Sequence, residues 1–262
     1  MSDDCNRTPF WQRQPLLPRP IQAFLRARTE AALAEPGARQ ALVWPTILAA
    51  PRLRQAHPGG LPEPQLLEHA ARMLAPLGWS DPAAAWQAHC ATWPDTAERG
   101  PGGWRPGASW GAWGPLVSLR CGWVLAALTP LSSGEGYPLA CGVSLFNHGL
   151  YHECHDALEP LWDEASGDLR ERLQGLILLA AGHHHLQLHN LPGLVAVWEE
   201  ALVRLRACGG IVATPWGEVR VQAALDLTAR RLDHGKRMDD DADHAAVFGP
   251  LWALDRPTWE LA

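Results

Sequence analysis

Apolar side chains recur at intervals of three and four residues along most of the chain, the period of helices that bury one face. Ile21, Phe24, Leu25, Ala32 and Leu33 predict a first helix over 21–34, stopped by Pro36-Gly37. A second is predicted over 38–49, broken or kinked at Pro45, and a third over 64–74. A fourth starts at Asp81-Pro82, where the aspartate caps the first amides and proline fits the first turn without losing a bond. It places Trp86, His89, Cys90 and Trp93 on one face, read as packing, and ends at Pro94. From 94 to 114 the chain is dense in Gly and Pro around Trp104, Trp110 and Trp113, so neither helix nor strand is expected there. Helical patterns resume over 116–128, 138–146, 150–165, 168–188, 192–207 and 216–232, and no alternating run of β-branched residues supports a sheet.

These elements predict an all-α protein: a compact antiparallel bundle of helix–turn–helix hairpins preceded by an additional helical region. The expected organisation is an extended, proline-rich arm (1–20), an N-terminal helical region (21–93), a Gly/Pro/Trp-rich linker packed onto a neighbour (94–114), a helical domain (115–234) and an acidic tail (235–262). That tail carries Asp239-Asp240-Asp241 and is expected to lay Phe248, Trp252 and Trp259 on the surface.

Composition narrows the function classes. Of 262 residues 47% are hydrophobic and 19% charged, enough apolar content for one or two cores, and the net charge of −6 argues against a phosphate-binding surface. Nucleic acid is therefore not an expected partner. The six cysteines show no paired spacing, so neither a zinc ribbon nor a disulfide framework is suggested. The acidic start lacks the features of a signal peptide, and the apolar run 121–129 is far shorter than a bilayer span. A soluble cytoplasmic protein without a membrane partner is expected.

The chemistry concentrates between 148 and 189, which holds seven of the 12 histidines. Over 150–164 the helical angles put Leu150, Cys154, Ala157, Leu158 and Leu161 in one core stripe. Tyr151, His155 and Trp162 border it on one side and Glu153 on the other; His152, Asp156 and Asp163 lie opposite, with Glu159 one turn from His155. Pro160 is expected to kink or restart this helix. The next helix is apolar on nearly every side, Gln174 being the polar side chain in its middle, and ends in His183, His184 and His185. These three are about 100° apart and cannot all face one site. Half-buried polar groups need partners, so His155 and Glu159 are expected to face Gln174 and His185 across a helix contact.

The ordered set Phe146, Asn147, Gly149, Tyr151, Glu153, His155, Asp156, Glu159 and Trp162 resembles the signature FNxGxYxExHExxExxW of domain-of-unknown-function family 309. The resemblance continues through 173–177, His184, His185, Asn190 and 198–202, covering roughly 137–232. Asp156 stands where the family usually has Glu, and Leu178 where a second Gln is common. The resemblance implies a helical domain of antiparallel hairpins, with Asn147-His148-Gly149 and His189-Asn190-Leu191-Pro192 at the turns.

Two functional readings follow. In one, the protein is a non-enzymatic interaction or structural module, binding a protein partner or itself, and Glu153, Asp156, Trp162, Gln174 and His184 join a half-buried polar network. In the other, His155, Glu159 and His185 bind a divalent metal, with hydrolase or oxidase chemistry open to such a centre. No catalytic triad is defined by spacing, and the paired Glu-x-x-His motifs of di-iron bundles and the metalloprotease HExxH are absent. Whether the protein is an enzyme stays open at this point.

Overall fold

The structure, a computed structural model, describes residues 18–134, 136–237 and 257–261, and the chain divides into two units that part between Ser133 and Gly134. The first contains α1 (Arg19–Ala34), α2 (Gln40–Leu48), α3 (Pro51–Ala56), α4 (Glu63–Leu74), α5 (Pro82–Thr92) and α6 (Gly114–Leu128), with a hairpin of β1 (Ala97–Gly100) and β2 (Gly103–Pro106) before α6. Helix α2 is its hub. Leu42, Val43 and Trp44 are fully buried, and α2 packs on α1, α4, α5 and α6, as a helix apolar all round must. Pro45 does not break it: α2 runs through to Leu48. The Ser118 hydroxyl of α6 donates to the Thr46 carbonyl at 2.6 Å, satisfying one acceptor of the last turn. Asp81 caps α5 as expected, accepting from the amides of Ala83 and Ala84. By length and composition the stretch Trp110–Leu128 is apolar enough to cross a membrane, and its helical part buries Val117, Cys121, Val124 and Leu128 within this unit.

The second unit holds α7 (Tyr137–Asn147), α8 (Tyr151–Glu164), α9 (Gly167–Gln187), α10 (Leu191–Ala207) and α11 (Gln222–Gly235). Consecutive helices pack on one another, with α9 between α8 and α10. Gly149 (φ 72°) and His189 (φ 55°) make the left-handed steps between α7 and α8 and between α9 and α10. Small residues set the spacing: a Cβ on Gly142 would lie 2.7 Å from Leu158, and one on Gly182 would overlap the Trp198 ring. A three-stranded antiparallel sheet, ordered β3 (Ile211–Thr214), β4 (Gly217–Arg220), β5 (Glu260–Leu261), joins this unit.

The all-α class stands, since the strands form only small antiparallel pairings among 11 described helices. Four expectations change. The 94–114 stretch is not devoid of regular structure: Pro101-Gly102 turns a hairpin with Ala97↔Pro106 through Gly100↔Gly103 in register, and Glu98 pairs across it with Arg105 at 2.7 Å. Helix α6, expected in the C-terminal domain, belongs with the N-terminal helices. The helix expected from Trp216 begins at Gln222, because Val212 and Val219 pair across β3–β4 and both are fully buried. Trp259 is not on the surface; it is 2% exposed and stacked on Phe146 with ring centroids 3.9 Å apart. Phe248, Trp252 and the aspartate run of the tail lie outside the described residues, as does the arm up to residue 17.

Candidate functional site

Helix α8 carries the site because its apolar period leaves one polar flank. Leu150, Cys154, Ala157, Leu158 and Leu161 are all buried, which fixes the rotation of the helix and turns His152, His155, Asp156 and Glu159 away from the core. The helix continues unbroken through Pro160. The His155 Nδ1 is 3.3 Å from Asp156 Oδ1, and its Nε2 is 3.8 Å from Glu159 Oε1. One donor atom from each of His155, Asp156 and Glu159 can be chosen so that all three lie within 4.8 Å of one another. His152 Nε2 approaches Asp156 Oδ2 from the preceding turn at 3.8 Å. The Asp156 side chain is 6% exposed against 30% for His155 and 43% for Glu159, so the cluster is anchored below and open above.

Helix α9 supplies His184 to this flank, its ring stacked on His152 at 5.1 Å and 19°. His185, expected beside His155, instead hydrogen-bonds Asn190 through Nδ1 at 3.0 Å. Asn190 caps α10 by accepting from the Gly193 amide at 3.1 Å, so His185 sits at the α9–α10 turn, and partial burial pulls its pKa down. Gln174, four residues after Arg170, shares a side of α9 with it. Trp162 is engaged by Arg170, whose guanidinium lies 3.7 Å over the indole and donates to the Trp162 carbonyl at 2.9 Å. Trp162 thus closes the end of α8 rather than joining the histidine cluster. Glu153 is 4% exposed, on the core side.

A second, fully enclosed centre forms around His183. His183 is completely buried, with its Nε2 3.2 Å from the Thr228 hydroxyl of α11. Tyr151 stacks on it at 5.0 Å, Phe146 meets it edge-on at 5.5 Å and Trp198 at 4.8 Å. Desolvation, with Arg231 nearby, holds its pKa well below the usual histidine range, so it is a neutral core residue. The Gln187 side chain donates to the Gly149 carbonyl at 2.8 Å, tying the end of α9 to the α7–α8 turn. The signal available in sequence was the spacing of His183 and Gln187, one turn apart on the face that also carries Leu176, Leu179 and Ala180.

Residues 139–197 match the family model described as Domain of unknown function (DUF309). That segment runs from the third residue of α7 into α10 and contains the whole histidine–carboxylate cluster. No curated protein and no solved structure matches the chain. The protein is thus a helical protein in which one segment is similar to a family of unknown function.

Proposed function

We propose that the α8 flank of the DUF309 segment binds a divalent metal cation through His155, Asp156 and Glu159. The observation that carries this reading is their convergence, with donor atoms within 4.8 Å of one another. Ligands around one tetrahedral ion with bonds near 2.0–2.1 Å stand about 3.4 Å apart. The 3.8 Å between His155 Nε2 and Glu159 Oε1 is too long for a good hydrogen bond and close to that spacing. His155 presents one ring nitrogen to each carboxylate, Nδ1 to Asp156 at 3.3 Å and Nε2 to Glu159 at 3.8 Å. His152, held against His184, is the next nearest donor.

A three-donor set on one helix leaves coordination positions for water or substrate, the condition under which a bound cation activates water for hydrolysis. Docking of a protein partner or self-association ranks second. Its support is limited to exposed apolar side chains such as Val203, 73% exposed, and single residues of that kind are common on monomer surfaces.

The test is thermal unfolding of the full chain with Zn²⁺, Mn²⁺ or Mg²⁺. A cation bound by the native state raises the melting temperature with the logarithm of its concentration, and His155→Ala and Glu159→Gln each remove the rise. A rise that persists in both variants, or none with any cation, overturns the reading.

A further inference from the structure

The N-terminal unit contains a cleft of about 640 Å³ that the metal reading does not use. Its inner wall includes Ile47, Leu61 and Trp104, and its rim carries Arg54, Arg105 and Glu98. We infer that this cleft is a binding site for a small organic monoanion with a flat apolar body, whose carboxylate pairs with Arg54.

Three observations carry the inference. The first is size and lining: the volume falls within the usual range for small-molecule sites, about 300–1,000 Å³, and the surface combines the apolar faces of Ile47, Leu61 and Trp104 with an at least equal share of polar groups. The second is charge. Glu98 is occupied by Arg105, with Nε to Oε1 at 2.7 Å. Arg54 has no acidic partner among the described residues. Its Nη1 lies so close over Gly114 that a Cβ there would stand 3.0 Å away. One uncompensated guanidinium fits a monoanion, since a polyphosphate would need several cations, and its fork matches a carboxylate.

The third observation is rigidity. The 59–61 turn and the β1–β2 hairpin are joined backbone to backbone: Leu61 and Trp104 exchange two bonds, at 2.7 and 2.8 Å, and Gly102 donates to Gly59 at 2.9 Å. Glycine is required at this contact. Gly60 (φ 121°) and Gly103 (φ 145°) occupy conformations that other residues rarely adopt, and a Cβ on Gly60 would lie 2.6 Å from the Gly103 carbonyl oxygen. Trp104 is held further by its indole N–H, which donates to Glu63 at 3.2 Å. The wall is thus preformed, which lowers the ordering cost of binding.

The experiment is calorimetric titration of the full chain with 2-naphthoate and, separately, with 2-naphthol. Expected are saturable one-to-one binding of naphthoate and at least about tenfold weaker binding of naphthol, the scale of a lost charge-assisted bond. Arg54→Gln weakens naphthoate by a similar factor. Arg52→Gln, which removes another exposed arginine of α3 outside the cleft lining, leaves binding unchanged, and an unaltered melting temperature verifies that both variants fold. Equal binding of naphthol and naphthoate, equal effects of the two substitutions, or no saturable naphthoate binding overturns the proposal. None of these results depends on the α8 metal reading.

Discussion

Asn147 grips Trp259 at both of its backbone polar groups: the side-chain N–H donates to the Trp259 carbonyl and the side-chain oxygen accepts from the Trp259 amide, each at 2.8 Å. An amide side chain used this way stands in for a neighbouring strand, immediately before β5 pairs with β4. Phe146, the preceding residue, stacks on the Trp259 ring. Two adjacent residues of the family-like signature therefore hold a segment 112 positions further along the chain.

Removing this clamp destabilises the second unit. Asn147→Ala is expected to cost about 1–3 kcal/mol, since the amide and carbonyl of Trp259 lose their partners. Trp259→Ala is expected to cost about 3–5 kcal/mol through lost burial and the cavity left behind. Urea unfolding read by far-UV circular dichroism measures both. If the two substitutions are instead neutral, the C-terminal segment contributes nothing to this unit's stability.

The metal response discriminates among the histidines. Because His185 is bonded to Asn190, His185→Ala is expected to keep the cation-dependent rise in melting temperature that His155→Ala loses. At 100 times the dissociation constant the rise corresponds to about 2.7 kcal/mol. The response also weakens in acid, where protonation of the ligand groups competes with the cation.

Acid weakens each unit through a buried histidine. Desolvation and Arg28 push the His89 pKa down to about 3, and His183 is lowered well below 6.5. A histidine with a depressed folded-state pKa contributes its stability above the unfolded value of 6.5, and that stability is lost as pH falls. The unfolded chain then takes up a proton that the folded chain refuses. The expected slope is roughly 1.4 kcal/mol per pH unit for each group, running for His89 from pH 6.5 toward 3. Unfolding titrations of wild type and His89→Gln between pH 7 and pH 4 measure it; a variant with an undiminished acid slope would falsify the assignment.

The α9–α10 contact tolerates no added methyl at position 182. Gly182→Ala gains about 1 kcal/mol in helix propensity, yet its Cβ meets the Trp198 ring directly. A net loss of about 1–3 kcal/mol is expected from overpacking, and a smaller increment when Gly182→Ala is made in a Trp198→Leu background, where the ring is gone. Double-mutant urea unfolding reads the coupling.

Local pattern determined much of this protein. The period of Leu150, Cys154, Ala157, Leu158 and Leu161 set the rotation of α8, and all five are buried. Asp81 before Pro82 marked the start of α5, and the placement of Glu159 one turn from His155 followed from about 100° per residue. Those properties depend on neighbours within a turn or two, so the sequence carries them by itself. Only the tertiary structure decided the rest. His184 rather than His185 reaches the α8 cluster because the rotation of α9 is fixed by the approach of Gly175 and Gly182 to α10, which the pattern of α9 alone, apolar on nearly every side, does not record. Trp259 is interior because Asn147 and Phe146 capture it, and the 97–106 hairpin is held against the 59–61 turn because Gly60 and Gly103 let two backbones touch. Each of these contacts joins residues far apart in the chain, and its free energy comes from burial and hydrogen bonds that form only once the distant partner has arrived.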